Sequence, residues 1–229
     1  MDDQKELVLR CQPHIYRDRK EPFPIRYIGY TVFREKGRSQ SFRDLTLDPA
    51  EHGAAFIMEY AVYYDYDIQH MYDLEHAWTA VREDGSLAGC WGTFHGMRLR
   101  ADGLASFRTE KGCPVLYAEP GKHALLPDPA LFCLHEEFPA CCREKAGGGL
   151  LVPEMLGERM ETSAAQDEWV RRYMRERYVF TPSMEFERED VPEERFLPWP
   201  ELMERIPGLV REELLRTGWT DLSFLVENL

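Results

Sequence analysis

The chain has 229 residues, a 44% hydrophobic and 12% aromatic content, and 28 Lys and Arg against 41 Asp and Glu, a formal charge of −13. That composition builds a folded core and argues against a disordered chain, while so acidic a surface is a poor partner for nucleic-acid backbones or anionic lipid. No apolar run reaches the roughly 20 residues that span a bilayer, and the start, Met1 to Glu6, lacks the basic and apolar stretches of a secretory signal.

The expected setting is therefore cytoplasmic, with Cys11, Cys90, Cys113, Cys133, Cys141 and Cys142 as reduced thiols. No C-x-x-C pair is present, which speaks against a cysteine zinc knuckle. In chain order, the first predicted strand is Arg26 to Arg34, rich in β-branched and aromatic residues. Ala54 to Tyr64 is too apolar to alternate and reads as a strand covered on both faces. Tyr72 to Arg82, the turn cluster Glu83-Asp84-Gly85-Ser86 and Leu87 to His95 form a hairpin. Pro114 to Glu119 adds a further strand before Pro120-Gly121. Strands with no helices between them point to an antiparallel β-sandwich, jelly-roll-like, over residues 20–145.

Beyond Gly147-Gly148-Gly149 the pattern becomes helical. Ser163 with Gln166 three positions on is a capping box opening a helix to about Tyr178. Glu185 to Glu194 reads as an acidic connector. Two short helices, Pro200 to Ile206 and Leu209 to Arg216, are expected on either side of Pro207-Gly208. Residues 150–229 thus read as a helical extension packed on the sandwich within a single domain of residues 1–229, since about 80 residues make a marginal core alone.

One stretch, Tyr64 to His76, concentrates the metal-competent side chains. Asp73 and Glu75 are two apart on a strand and share a face, with Leu74, His76 and Trp78 opposite. Asp67 and His70 lie in the turn leading in. Three clustered carboxylates repel unless a cation or shared proton intervenes, so Asp67, His70, Asp73 and Glu75 are the expected ligands of one divalent cation. An oxygen-rich set with a single imidazole favours Mg²⁺, Mn²⁺ or Ca²⁺ over Zn²⁺. His95 and His123, at predicted strand ends, are the candidate general acid/base pair. His14, His52 and His135 are expected at the surface.

Tyr60-Ala61-Val62-Tyr63-Tyr64, Asp67, the run His70 to His76, Phe94-His95-Gly96, Pro114 to Tyr117 and His123 together resemble the necrosis- and ethylene-inducing peptide-like proteins over about residues 55–125. The resemblance implies a central β-sandwich with a divalent cation in an acidic cavity. The family heptapeptide Gly-His-Arg-His-Asp-Trp-Glu falls on Gln69 to Glu75, its metal-binding His, Asp and Glu on His70, Asp73 and Glu75, and its cavity aspartate on Asp67. Gln69, Tyr72 and Leu74 depart from it, and the family's secretion signal and cysteine arrangement are missing, so a bacterial-type intracellular relative without cytolysis is expected. The functional expectation is a divalent-metal-dependent hydrolase acting on a phosphoester or glycosyl substrate. The alternative is a non-catalytic module whose cation coordinates a sugar or lipid headgroup. Either way the expected partner is a small-molecule or carbohydrate-like ligand.

Overall fold

The computed structural model describes residues 3–150, 152, 156 and 160–221. Its larger sheet runs, edge to edge, β14 (Phe196–Pro198), β2 (Tyr27–Phe33), β5 (Phe56–Tyr66), β6 (His70–Val81), β7 (Leu87–Phe94) and β8 (Met97–Arg100), with β12 (Gly149–Leu150) added to β6. The smaller sheet runs β11 (Leu125–Leu126), β10 (Cys113–Ala118), β1 (His14–Asp18) and β13 (Phe186–Arg188), with β9 (Thr109–Glu110) paired to β10. A ribbon of β3 (Gly37–Arg38) and β4 (Thr46–Leu47) stands apart. The helices are α1 (Asp3–Cys11), α2 (Ala164–Arg177) and α3 (Trp199–Arg216).

Strand alternation builds three layers. Met58, Tyr60, Val62 and Tyr64 on β5 pack with Ile15, Leu116 and Leu125 of the smaller sheet. Ala61 and Tyr63, on the other face of β5, pack with Val170 and Met174 of α2 and Leu202, Ile206 and Val210 of α3. The apolar run of β5 is thus buried on both sides, as its lack of alternation predicts. The β6–β7 hairpin forms at the expected turn, pairing Trp78 with Trp91. At Gly92, a side chain would collide with the Leu125 backbone carbonyl, so this glycine lets β7 and the smaller sheet meet.

The fold is mainly β, a sandwich with C-terminal helices packed against it; α1 and β1 precede the first expected strand, and three further particulars differ from the sequence expectation. Most pairings are antiparallel, but β1–β10, β6–β12 and β2–β14 are parallel. The acidic connector holds a strand, β13, which pairs with β1, and beyond it β14 returns to β2. The two short helices are one, because α3 continues through Pro207. An internal proline costs about 3 kcal/mol, and the unbroken stripe Leu202, Ile206, Leu209, Val210 and Leu214, buried across the break, outweighs that cost. The capping box of Ser163 and Gln166 forms as expected, with both reciprocal hydrogen bonds.

Where β5 meets α3, Asp65 is mostly buried near Glu213, with Arg26 3.6 Å away. Burial first, and the Glu213 charge second, push its carboxyl up to about 6. Between pH 4 and 6 the unfolded chain has already released this proton while the native protein retains it. Stability therefore falls as pH rises through that window, by roughly 2–3 kcal/mol from this group. Asp65→Asn should flatten that part of the profile, as urea titrations at pH 4, 5 and 6 would register.

Candidate functional site

Two tight turns aim the site's side chains. His95 and Gly96 are the central residues of the β7–β8 hairpin, where Phe94 pairs with Met97, and both have positive φ (49° and 79°). This is the two-residue connection whose twist matches flanking strands. The second turn follows β10: Glu119 N–H donates to the Ala124 carbonyl, and the N–H groups of Lys122 and His123 donate to the Glu119 carbonyl at 3.1 and 2.7 Å. Gly121 and His123 take left-handed conformations there (φ 76° and 58°), which histidine tolerates better than most residues. The turn sends Glu119, Lys122 and His123 to three different partners.

Glu119, fully buried, meets two imidazoles. Its Oε2 lies 2.9 Å from His95 Nε2 and its Oε1 lies 2.7 Å from His135 Nδ1. The two rings sit 3.9 Å apart, centre to centre. All three donor atoms fall within 4.8 Å of one another, and among the described residues this is the one group of three or more His, Cys, Asp or Glu able to share an ion. His95 is exposed and His135 half-buried, so one side of the group is open. Two imidazoles and a carboxylate are a donor set for Zn²⁺, Mn²⁺ or Fe²⁺ rather than for Mg²⁺ or Ca²⁺.

Lys122 reaches Asp67, forming an ion pair with its Oδ2. Asp67 Oδ1 also accepts from the N–H groups of Gln69, at 2.7 Å, and His70, and His70 Nδ1 stands 3.3 Å away. Burial opposes its charge, but the His70 hydrogen bond and the Lys122 ammonium overcome it and hold the carboxyl at about 2.

His123 is buried completely. Its Nδ1 lies 2.8 Å from Asp73 Oδ2, its Nε2 3.4 Å from Glu21 Oε1, and its ring stacks on Tyr64 at 3.8 Å. Burial works against the imidazolium, yet Glu21 and Asp73 raise the ring to about 10. Asp73 moves up from the usual carboxylate range through burial, with His123 opposing. Glu75 accepts a hydrogen bond from the Thr93 hydroxyl. Burial and the neighbouring Asp73 push its carboxyl well above the ordinary value.

Asp73 and Glu75 line a cavity of about 240 Å³ with Tyr72, Leu74, His76, Thr93 and Gly96. Thr93 and Gly96 belong to the hairpin that carries His95, so the cavity and the His95 group share that hairpin. Of the sequence candidates, then, Asp67 meets His70 and Lys122, Asp73 meets His123, Glu75 meets Thr93, and His95 meets Glu119. Sequence reasoning missed Glu119, Glu21 and Lys122 and placed His135 at the surface. The available signal was Glu119 itself, closing a strand at Pro120-Gly121 and standing four residues before His123.

No family model matches the chain, and no curated protein matches it. Among solved structures, it is similar to the crystal structure of Necrosis and Ethylene inducing Protein 2 from the causal agent of cocoa's Witches Broom disease, at 14% identity and a TM-score of 0.34. The likeness covers 52% of this chain and 66% of that one, so the chain spans just under two thirds of that protein's length. The resemblance is distant and confined to a segment. Among the described residues, no helix is long and apolar enough to cross a membrane.

Proposed function

We propose that the protein is a divalent-metal-dependent hydrolase whose ion is held by His95, Glu119 and His135 and whose substrate enters the cavity beside Glu75. The observation that carries this reading is the convergence of two imidazole nitrogens and a buried carboxylate at an exposed edge. Three protein ligands with an open side are the pattern of catalytic rather than structural sites. When bound there, a divalent ion supplies Lewis acidity to a phosphoryl or glycosyl oxygen. The protein's own groups supply the rest. Glu75, a weaker acid than usual because it is buried, is the group that would give a proton to a leaving oxygen. Thr93 fixes its orientation. Asp73, paired with His123, is the cavity-wall carboxylate whose charge is offset, which lessens its repulsion of an anionic substrate.

The test is turnover of aryl phosphomonoesters, phosphodiesters and glycosides by the chelator-treated protein with Zn²⁺ or Mn²⁺ restored. The reading expects metal-dependent hydrolysis of one class. Glu119→Gln, which keeps the shape, should lower it by at least roughly 10–100-fold, the loss seen even for groups one step removed from a metal. Tight ion binding without turnover of any class would replace the hydrolase by the binding module.

A further inference from the structure

The six cysteines do not share one environment. Cys90, Cys141 and Cys142 are fully buried, and Cys133 is exposed. Cys11 and Cys113 are each half-exposed, and both line one cavity of about 470 Å³ on the side of the molecule where α1 ends and β10 begins. Arg10, Arg82 and Lys111 line it as well.

The backbone brings these two thiols together. β1 and β10 run parallel with His14 opposite Val115. Cys11 closes α1 just ahead of β1, and Cys113 opens β10 just ahead of Val115, so both stand at the same end of the β1–β10 pair. A disulfide needs Cα atoms roughly 4.4–6.8 Å apart. A side-chain contact shows how close the two segments come. Cys113 Sγ lies 3.2 Å from the Arg10 carbonyl oxygen, the group that precedes the Cys11 nitrogen.

We propose that Cys11 and Cys113 are an oxidisable pair, which a low-molecular-weight disulfide carrying carboxylates, such as oxidised glutathione, converts into a disulfide stapling α1 to β10. Arg10 and Lys111 beside the thiols suit an anionic reagent; burial raises both thiols above their ordinary value, and the Arg10 charge offsets part of that at Cys11. The Cys11 thiolate attacks one sulfur of the reagent, forming a mixed disulfide and releasing one thiolate. The Cys113 thiolate then attacks the Cys11 sulfur and releases the second. Two protein thiols are oxidised, one reagent disulfide is reduced, and the two protons lost by the protein end on the two released thiols. The staple would fix α1, whose Val8 is buried and whose Val8 carbonyl accepts from the Tyr60 hydroxyl at 3.0 Å.

The experiment is incubation of the full chain with oxidised glutathione, alkylation of remaining thiols, and non-reducing peptide mapping by mass spectrometry. The exposed Cys133 is the internal control, since it should take up glutathione. The expected result is a cross-linked peptide containing Cys11 and Cys113. In Cys113→Ser the mixed disulfide should persist on Cys11, and in Cys11→Ser on Cys113. Glutathione on Cys133 with no Cys11–Cys113 link would overturn the proposal. So would a wild type in which Cys11 and Cys113 each keep glutathione and no cross-linked peptide forms.

Discussion

Replacing His123 by glutamine should destabilise the protein by about 3–5 kcal/mol near neutral pH, because it strips the cation from between two buried carboxylates. Asp73 and Glu21 both face the ring, and Tyr64 closes it off from water. The same variant should change how stability responds to alkali. A ring raised to about 10 stays protonated in the native protein, whereas it releases its proton near 6.5 once unfolded. Its contribution is therefore fully present below pH 6.5 and is lost as pH rises towards 10, amounting to roughly 4–5 kcal/mol over that range. Denaturant midpoints from pH 6 to 10 should fall steadily for the wild type and hold nearly level for His123→Gln. Parallel profiles would show that the ring is neutral in the native protein.

Trp78→Ala should be comparably severe, about 3–5 kcal/mol, as for other fully buried aromatics. Trp78 has no exposed surface, and its Nε1–H donates to the buried Glu59 carboxylate at 2.8 Å. Glu59 is also held by the Ser41 hydroxyl at 2.7 Å, and the Arg98 guanidinium lies over the indole at 5.2 Å. Truncation leaves both a void and a buried carboxylate short of a donor. Trp78→Phe separates the two effects. It keeps most of the packing and loses only the hydrogen bond, so its cost should be on the order of 1–3 kcal/mol. Equal melting temperatures for wild type and Trp78→Ala would mean that β6 is displaced by one residue, exchanging its faces.

What was legible in the sequence is what local spacing decides. Period-two alternation sets Asp73 and Glu75 on the face opposite Trp78, and the continuous apolar run of β5 announces burial on both sides. Ser163 and Gln166 mark a helix start because capping is a contact between residues three apart. What escaped depends on partners distant in the chain. Glu119 finds His95, 24 residues away, only because β7 and the smaller sheet are stacked closely at Gly92. β13 and β14, three residues each, are too short to carry any periodicity. The clustered carboxylates suggested a missing cation by their charge alone. The fold supplies Lys122 to Asp67, His123 to Asp73 and the Thr93 hydroxyl to Glu75, and none of those partners is adjacent in sequence.

The metal assignment therefore rests on which residues an ion needs, and calorimetric titration of the chelator-stripped protein with Zn²⁺ and Mn²⁺ decides it. The account predicts one ion bound per chain, lost in Glu119→Gln and retained in Asp73→Asn. Uptake that survives Glu119→Gln and disappears in Asp73→Asn would contradict it and return the ion to Asp67, His70, Asp73 and Glu75. No uptake by the wild type would leave His95, Glu119 and His135 as a hydrogen-bonded group without a metal.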